Sequence, residues 1–180
     1  MIVIGMTGLA RSGKDTVADI LVGQYGFYKI GMSDPIYKIA RDYYGWDGLR
    51  DDRGRKLLQD IGTIGREYNK DVWVNYAKAT IADVINKNYM IISRINIRIV
   101  VCGVRYQNEV DLVRNYDSNQ LWRVEGRGGL SWDVAKHSSE QHVNEFKVDQ
   151  VINNSGSHDV LWKNVIDTFR QLQVTHKFLI

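Results

Sequence analysis

Short β-branched runs alternate along this chain with longer stretches whose apolar residues recur at helical spacing, the sequence form of repeated βα units around a parallel sheet. Five runs read as strands, at residues 2–6, 28–32, 98–104, 121–125 and 148–153, each apolar and bounded by Gly, Asn or charged residues. Residues 14–25 place Val17, Ile20 and Leu21 on one helical face and stop at Gly26, a residue suited to the left-handed cap. Pro35 opens a second helix at its first turn, where a missing N–H would be unpaired anyway, and that helix runs to residue 44. Helical spacing also covers 55–66, 71–86 and 159–172, as Val72, Tyr76, Ala79 and Val84 illustrate. Around 86–98, Tyr89, Met90, Ile91 and Ile92 fit a helix, a short strand or a connection, and the local pattern does not choose.

Composition narrows the class. A chain of 180 residues, 44% hydrophobic and 25% charged, fits one domain with a core of its own and needs no disulfide or structural metal. The net charge of +3 is spread thinly, so a small anionic ligand suits the chain better than nucleic acid. The single cysteine, Cys102, lies in an apolar run, which excludes a disulfide framework or a multi-cysteine metal site and points to a reducing, cytoplasmic setting. Met1 leads straight into Ile2, Val3 and Ile4, and no apolar stretch reaches the roughly 18 residues of a membrane span, so neither secretion nor a membrane partner is expected.

The first strand feeds Gly8-Leu9-Ala10-Arg11-Ser12-Gly13-Lys14-Asp15-Thr16, which gives Gly, four residues, Gly and Lys at the Walker A spacing. A strand, a Gly-rich turn and a helix in that order aim successive backbone N–H groups at one volume, where the helix N-terminus adds partial positive charge. Phosphate oxygens fill such a nest. Gly8, Arg11, Ser12, Gly13 and Lys14 are therefore read as ATP-binding, with the Lys14 ammonium serving the β- and γ-phosphates. The Ser/Thr usually found directly after the lysine is Asp15 here, and the hydroxyl comes one place later at Thr16. Thr16 and Asp15 are the candidates to hold Mg²⁺, and Asp15 joins Lys14 among the catalytic candidates.

With Gly-Lys-Asp-Thr in place, the chain resembles the deoxynucleoside monophosphate kinases of bacteriophages, relatives of the adenylate kinase and dephospho-coenzyme A kinase group. The likeness covers nearly the whole chain. It rests also on Ser33-Asp34-Pro35-Ile36-Tyr37-Lys38, on the run from Leu57 to Arg66 followed by Asp71-Val72-Trp73-Val74, and on Val104-Arg105-Tyr106-Gln107-Asn108-Glu109. His137-Ser138-Ser139-Glu140 and Val151-Ile152-Asn153-Asn154-Ser155-Gly156-Ser157 complete it. The resemblance implies a three-layer α/β/α P-loop fold, a five-stranded parallel sheet in the order 2-3-1-4-5, an acceptor-binding helical region about 33–88 and a small lid about 126–146. The implied reaction moves the γ-phosphoryl group of ATP, with Mg²⁺, onto a deoxynucleoside 5′-monophosphate. Small-molecule substrates are the implied partners, and a homodimer is left open.

In such a sheet ligands gather beyond the carboxyl ends of the strands, where each block falls. Ser33, Asp34, Lys38, Arg66, Trp73, Arg105 and Glu109 are the acceptor-side candidates. Asp34 and Lys38 serve equally well as a helix cap and a solvated lysine, Arg66 as a helix C-terminal cation, and Glu109 as a partner for Arg105. Arg105, after the third strand, is placed to grip the acceptor phosphate and is read as a catalytic candidate. So is Arg127, beside Gly128 and Gly129 in the lid, where a cation would neutralise the transferring group. His137 and His142 are five apart and do not share a helical face, so they are not read as a metal pair. Asn154, Ser155 and Gly156 resemble the turn that holds the adenine of ATP, and equally a plain strand-to-helix turn capped by Ser157. The family pattern usually carries Asp two residues before the strand-three Arg; here that place is Gly103. A hydroxyl acceptor such as dephospho-coenzyme A would need a carboxylate base more than a phosphate acceptor does, and a non-catalytic nucleotide-binding module would need none.

Overall fold

The computed structural model describes residues 1–88, 97–126 and 143–175. Within them lie β1 (Ile2–Thr7), α1 (Lys14–Tyr25), β2 (Tyr28–Gly31), α2 (Asp34–Tyr44), α3 (Asp52–Tyr68) and α4 (Val72–Asn88). Then follow β3 (Arg98–Cys102), α5 (Gln107–Arg114), β4 (Ser118–Glu125), β5 (Gln150–Asn153) and α6 (His158–Thr175). The five strands form one sheet in the order β2-β3-β1-β4-β5, and every pairing is parallel. Central β1 is buried along its whole length, as a strand covered on both faces must be.

Alternation along the strands splits the core into two layers. Ile2, Ile4 and Met6 of β1 pack with Val17 and Leu21 of α1 and with Leu161, Val165 and Phe169 of α6. Val3 faces the other way and joins Ile99, Val101 and Leu121 under Ile36, Trp73, Ile81 and Val113, which come from α2, α4 and α5. Both layers leave the carboxyl ends of β1, β3 and β4 at one edge, where the loops before α1 and α5 gather.

Several element ends differ from the sequence reading for local reasons. β3 stops at Cys102 instead of 104 because Gly103, at φ +82°, turns the chain out of the strand. β2 stops at Gly31, whose N–H donates to the Asp34 carboxylate (2.8 Å). β4 starts at Ser118, three residues before its apolar part, because Ser118, Asn119 and Gln120 already lie in register with Ile2, Val3 and Ile4. α3 begins at Asp52, since the Asp51 side chain caps it by accepting from the Gly54 N–H (2.7 Å). Helix α5 was not anticipated; its eight residues, five of them polar or charged, are too few to display a period. The undecided stretch is helical through Asn88, and 89–96 lie outside the described residues.

Candidate phosphate and acceptor sites

The loop between β1 and α1 takes its shape from three residues in the left-handed region: Gly8 (φ 128°), Arg11 (φ 63°) and Gly13 (φ 100°). Two of these positions also lack space. A Cβ on Gly8 would stand 2.5 Å from the Val124 carbonyl oxygen, and one on Gly13 would stand 2.2 Å from the Asn154 amide nitrogen. Gly13 is the residue before α1 and supplies no side chain to cap it, so the first-turn N–H groups face the loop interior uncapped from that position.

Lys14 is buried, and its ammonium donates to the carbonyls of Gly8 (2.8 Å) and Leu9 (2.6 Å), with Ser12 Oγ at 3.5 Å. The charge thus sits at the mouth of the loop it belongs to. Asn154, at the end of β5, is buried as well and donates to the Ser12 carbonyl (2.8 Å), which fastens the loop to the turn Asn154-Ser155-Gly156. That turn is internally braced: the Asn153 side chain accepts from the Ser155 N–H (2.8 Å) and hydroxyl (2.7 Å). Ser157 does cap α6, accepting from the Val160 N–H (3.3 Å).

Asp15 points towards β2. Its carboxylate lies 3.1 Å from the Lys29 ammonium, which also holds Asp19 at 2.9 Å. Burial disfavours charge on Lys29, but the hydrogen bonds to Asp19 and Asp15 outweigh it and raise its pKa. The same group of charges reaches the thiol of Cys102, which burial pushes up to about 12, with Lys29 opposing and Asp15, Asp19 and Asp34 reinforcing.

On the other side of that strand end lies a second cationic group. Glu109, almost wholly buried, accepts from the backbone N–H of Arg105 (2.7 Å) and of Tyr106 (3.3 Å), fixing the entry into α5. Burial raises its pKa against the pull of those N–H groups and of Arg66. Arg66 sits 3.8 Å from Glu109, stacks 4.1 Å over the Tyr106 ring and donates to the Gly62 carbonyl (2.8 Å). Arg66 is thus anchored on three sides, unlike a free helix-end cation. The pairing read between Glu109 and Arg105 exists through the Arg105 backbone N–H.

The remaining acceptor-side candidates disperse. Lys38 is exposed and bonds Asp42, one turn along α2. Ser33 precedes α2 and accepts the Tyr37 N–H at its carbonyl (3.0 Å), while Asp34 is turned back onto Gly31. Trp73 is buried in the core, with its indole N–H on the Gly62 carbonyl (3.1 Å); a Cβ on Gly65 would meet its ring at 2.4 Å. Arg127, His137, His142 and most of the span read as a lid lie outside the described residues. Two residues that sequence reasoning passed over are Lys29 and Tyr106. A lysine inside an apolar strand flags the first, whereas nothing local flags the second.

Comparison with known proteins adds four findings. No family model matches the chain. A protein of Acanthamoeba polyphaga mimivirus, provisionally named a deoxynucleotide monophosphate kinase, is 27% identical over 92% of this chain and 95% of its own length. An uncharacterized protein of Ictalurid herpesvirus 1 is 23% identical over 84% of the chain, which spans 64% of that protein. Among solved structures, one from Thermus thermophilus superposes with a TM-score of 0.52 at 19% identity, covering 95% of this chain and 97% of the other. Among the described residues no helix is long and apolar enough to cross a membrane. The strand order, the parallel pairing and the loop closed around Lys14 together make this a three-layer α/β/α P-loop fold.

Proposed function

We propose that the chain is a kinase that transfers the γ-phosphoryl group of ATP to a deoxynucleoside 5′-monophosphate, giving ADP and the diphosphate. The observation that carries this reading is a pair of cationic groups beyond the ends of neighbouring strands. Lys14 and the α1 N-terminus follow β1, while Arg105 and the anchored Arg66 stand where β3 ends. A donor polyphosphate on the first and an acceptor phosphate on the second would meet across one strand spacing. The name of the mimivirus relative supports the same acceptor class.

Catalysis in this reading is positioning and charge neutralisation, because an acceptor phosphate is already a nucleophile near neutral pH. Lys14 exchanges its bonds to the Gly8 and Leu9 carbonyls for phosphate oxygens, and Asn154 keeps the loop backbone in place while it does so. Thr16 and Asp15 would be the residues to hold Mg²⁺, which characteristically takes one or two protein oxygen ligands, and Asp15 would have to exchange its ion pair with Lys29 to do so. The chemistry such an ion would supply at these residues is neutralisation of phosphate charge. Arg127 is the candidate for the same service from the lid.

Measurement of ADP release with the common ribo- and deoxyribonucleoside monophosphates, with dephospho-coenzyme A and with no acceptor tests the proposal. Acceptor-dependent release with one or more deoxynucleoside monophosphates is expected. Release only with dephospho-coenzyme A would replace the acceptor, and ATP binding without any turnover would leave a nucleotide-binding module.

A further inference from the structure

An arginine offers its N–H donors in one rigid plane but carries that plane on a flexible stem, so its worth to a phosphate depends on what holds the plane. Three groups hold Arg66: its guanidinium stacks 4.1 Å over the Tyr106 ring, donates to the Gly62 carbonyl (2.8 Å) and stands 3.8 Å from the Glu109 carboxylate. The Gly62 carbonyl belongs to Arg66's own helix, one turn back, so it limits the swing of the side chain without relating it to the end of β3. Tyr106 and Glu109 supply the reference outside α3. At 3.8 Å the carboxylate is beyond hydrogen-bond length, and burial favours its proton, which leaves the flat ring as the better guide for a flat cation.

That ring is fixed for a backbone reason. The Tyr106 carbonyl accepts from the N–H groups of Glu109 (3.0 Å) and Val110 (3.1 Å) as α5 begins, and its own N–H donates to the Glu109 carboxylate (3.3 Å). The same carboxylate accepts the Arg105 N–H at 2.7 Å. Arg105 and the ring that carries Arg66 are therefore consecutive links of one pinned turn. A further tie joins that turn to the helix bearing Arg66, because the Asn108 amide donates to the Lys70 carbonyl (2.9 Å) and the Asp71 carboxylate (2.9 Å) in the connection between α3 and α4. The end of α3 cannot move against α5 without breaking these bonds.

We propose that Tyr106 is a positioning residue for the acceptor phosphate: its ring sets the plane in which Arg66 offers its N–H groups, and its place next to Arg105 fixes the spacing of the two arginines. The inference rests on the kinase reading above and adds to it a residue that acts through Arg66.

The test uses the full chain. Tyr106→Leu, which removes the ring and keeps an apolar side chain, should raise the acceptor KM about five- to thirtyfold while the ATP KM stays within about twofold. Tyr106→Phe, which keeps the ring, should restore what Tyr106→Leu loses. In the Arg66→Ala background Tyr106→Leu should add less than about twofold, because the ring then has no guanidinium to hold. A ring that serves only the packing of α5 would change the acceptor KM by the same factor with or without Arg66. Equal factors, or an unchanged acceptor KM in Tyr106→Leu, would overturn the inference and leave the kinase reading standing. Calorimetric titration of the four common deoxynucleoside monophosphates in the absence of ATP separates the two ideas further. Binding that weakens in Tyr106→Leu, without acceptor-dependent turnover in the unmodified protein, would overturn the kinase and keep the positioning role; neither binding nor turnover would overturn both.

Discussion

The buried side-chain amide of Asn154 donates to the carbonyl of Ser12 across 142 positions of sequence, at 2.8 Å, and fills the space a side chain on Gly13 would need. The turn after the last strand thereby holds the loop after the first.

Removing that amide strands a buried carbonyl. Asn154→Ala is expected to cost about 1–3 kcal/mol of stability, the penalty for an unsatisfied buried polar group, and to raise the ATP KM more than that of the acceptor. Chemical denaturation and steady-state kinetics check both. An unaltered ATP KM would mean that the loop keeps its shape without the tie.

Lys14→Ala should abolish transfer. The ammonium bonds the Gly8 and Leu9 carbonyls of its own loop, so circular dichroism should show the fold retained, with a modest loss in melting temperature from those missing contacts. Turnover near the normal rate would remove the loop from the mechanism.

Asp15 and Gly103 should be read together. If Asp15 supplies the carboxylate that the resemblance expects at 103, Asp15→Asn lowers kcat at least about tenfold, roughly 1.4 kcal/mol of barrier, with little change in melting temperature. Gly103→Asp meets open space, its nearest neighbour being the Met32 Cβ at 4.0 Å, but φ at +82° strains any L-residue by about 1–2 kcal/mol. It is therefore expected to recover part of the lost kcat in the Asp15→Asn background and to lower the melting temperature. A normal kcat for Asp15→Asn at saturating Mg²⁺ and substrates would sink the compensation.

Glu109 gives a pH signature. Because burial raises its folded pKa above the ordinary 4.5, the folded state holds its proton longer than the unfolded chain does. Its contribution to stability is then greatest at or below about pH 4.5 and falls as pH rises through the folded value. Glu109→Gln, which has no carboxyl to ionise, should flatten that part of the curve, so the melting-temperature difference, variant minus parent, should become more positive as pH rises through this window. Parallel curves would show that the carboxyl does not titrate on folding. Arg66→Ala should deepen the pH-dependent loss, since it leaves the buried Glu109 carboxylate without the guanidinium 3.8 Å away, and should also raise the acceptor KM about ten- to a hundredfold.

Residue patterns alone located β1, the loop from Gly8 to Lys14, helix α1 to its end at Gly26, and all five strands to within a few residues. These are local properties: apolar runs, glycine positions and helical period are written in neighbouring residues. The order of the sheet came through resemblance, and the loop at Lys14 could be assigned its chemistry because a strand, a glycine turn and a helix need no distant partner to form an anion nest. Tertiary structure decided what depends on who lies opposite. It set Asn154 against Ser12 and Lys29 against Asp15, stacked Arg66 on Tyr106, and drew Trp73 into the core with its indole N–H on the Gly62 carbonyl. No spacing rule reports such pairs, since the partners are brought together only when β5 closes beside β4 and α3 packs near the entrance to α5.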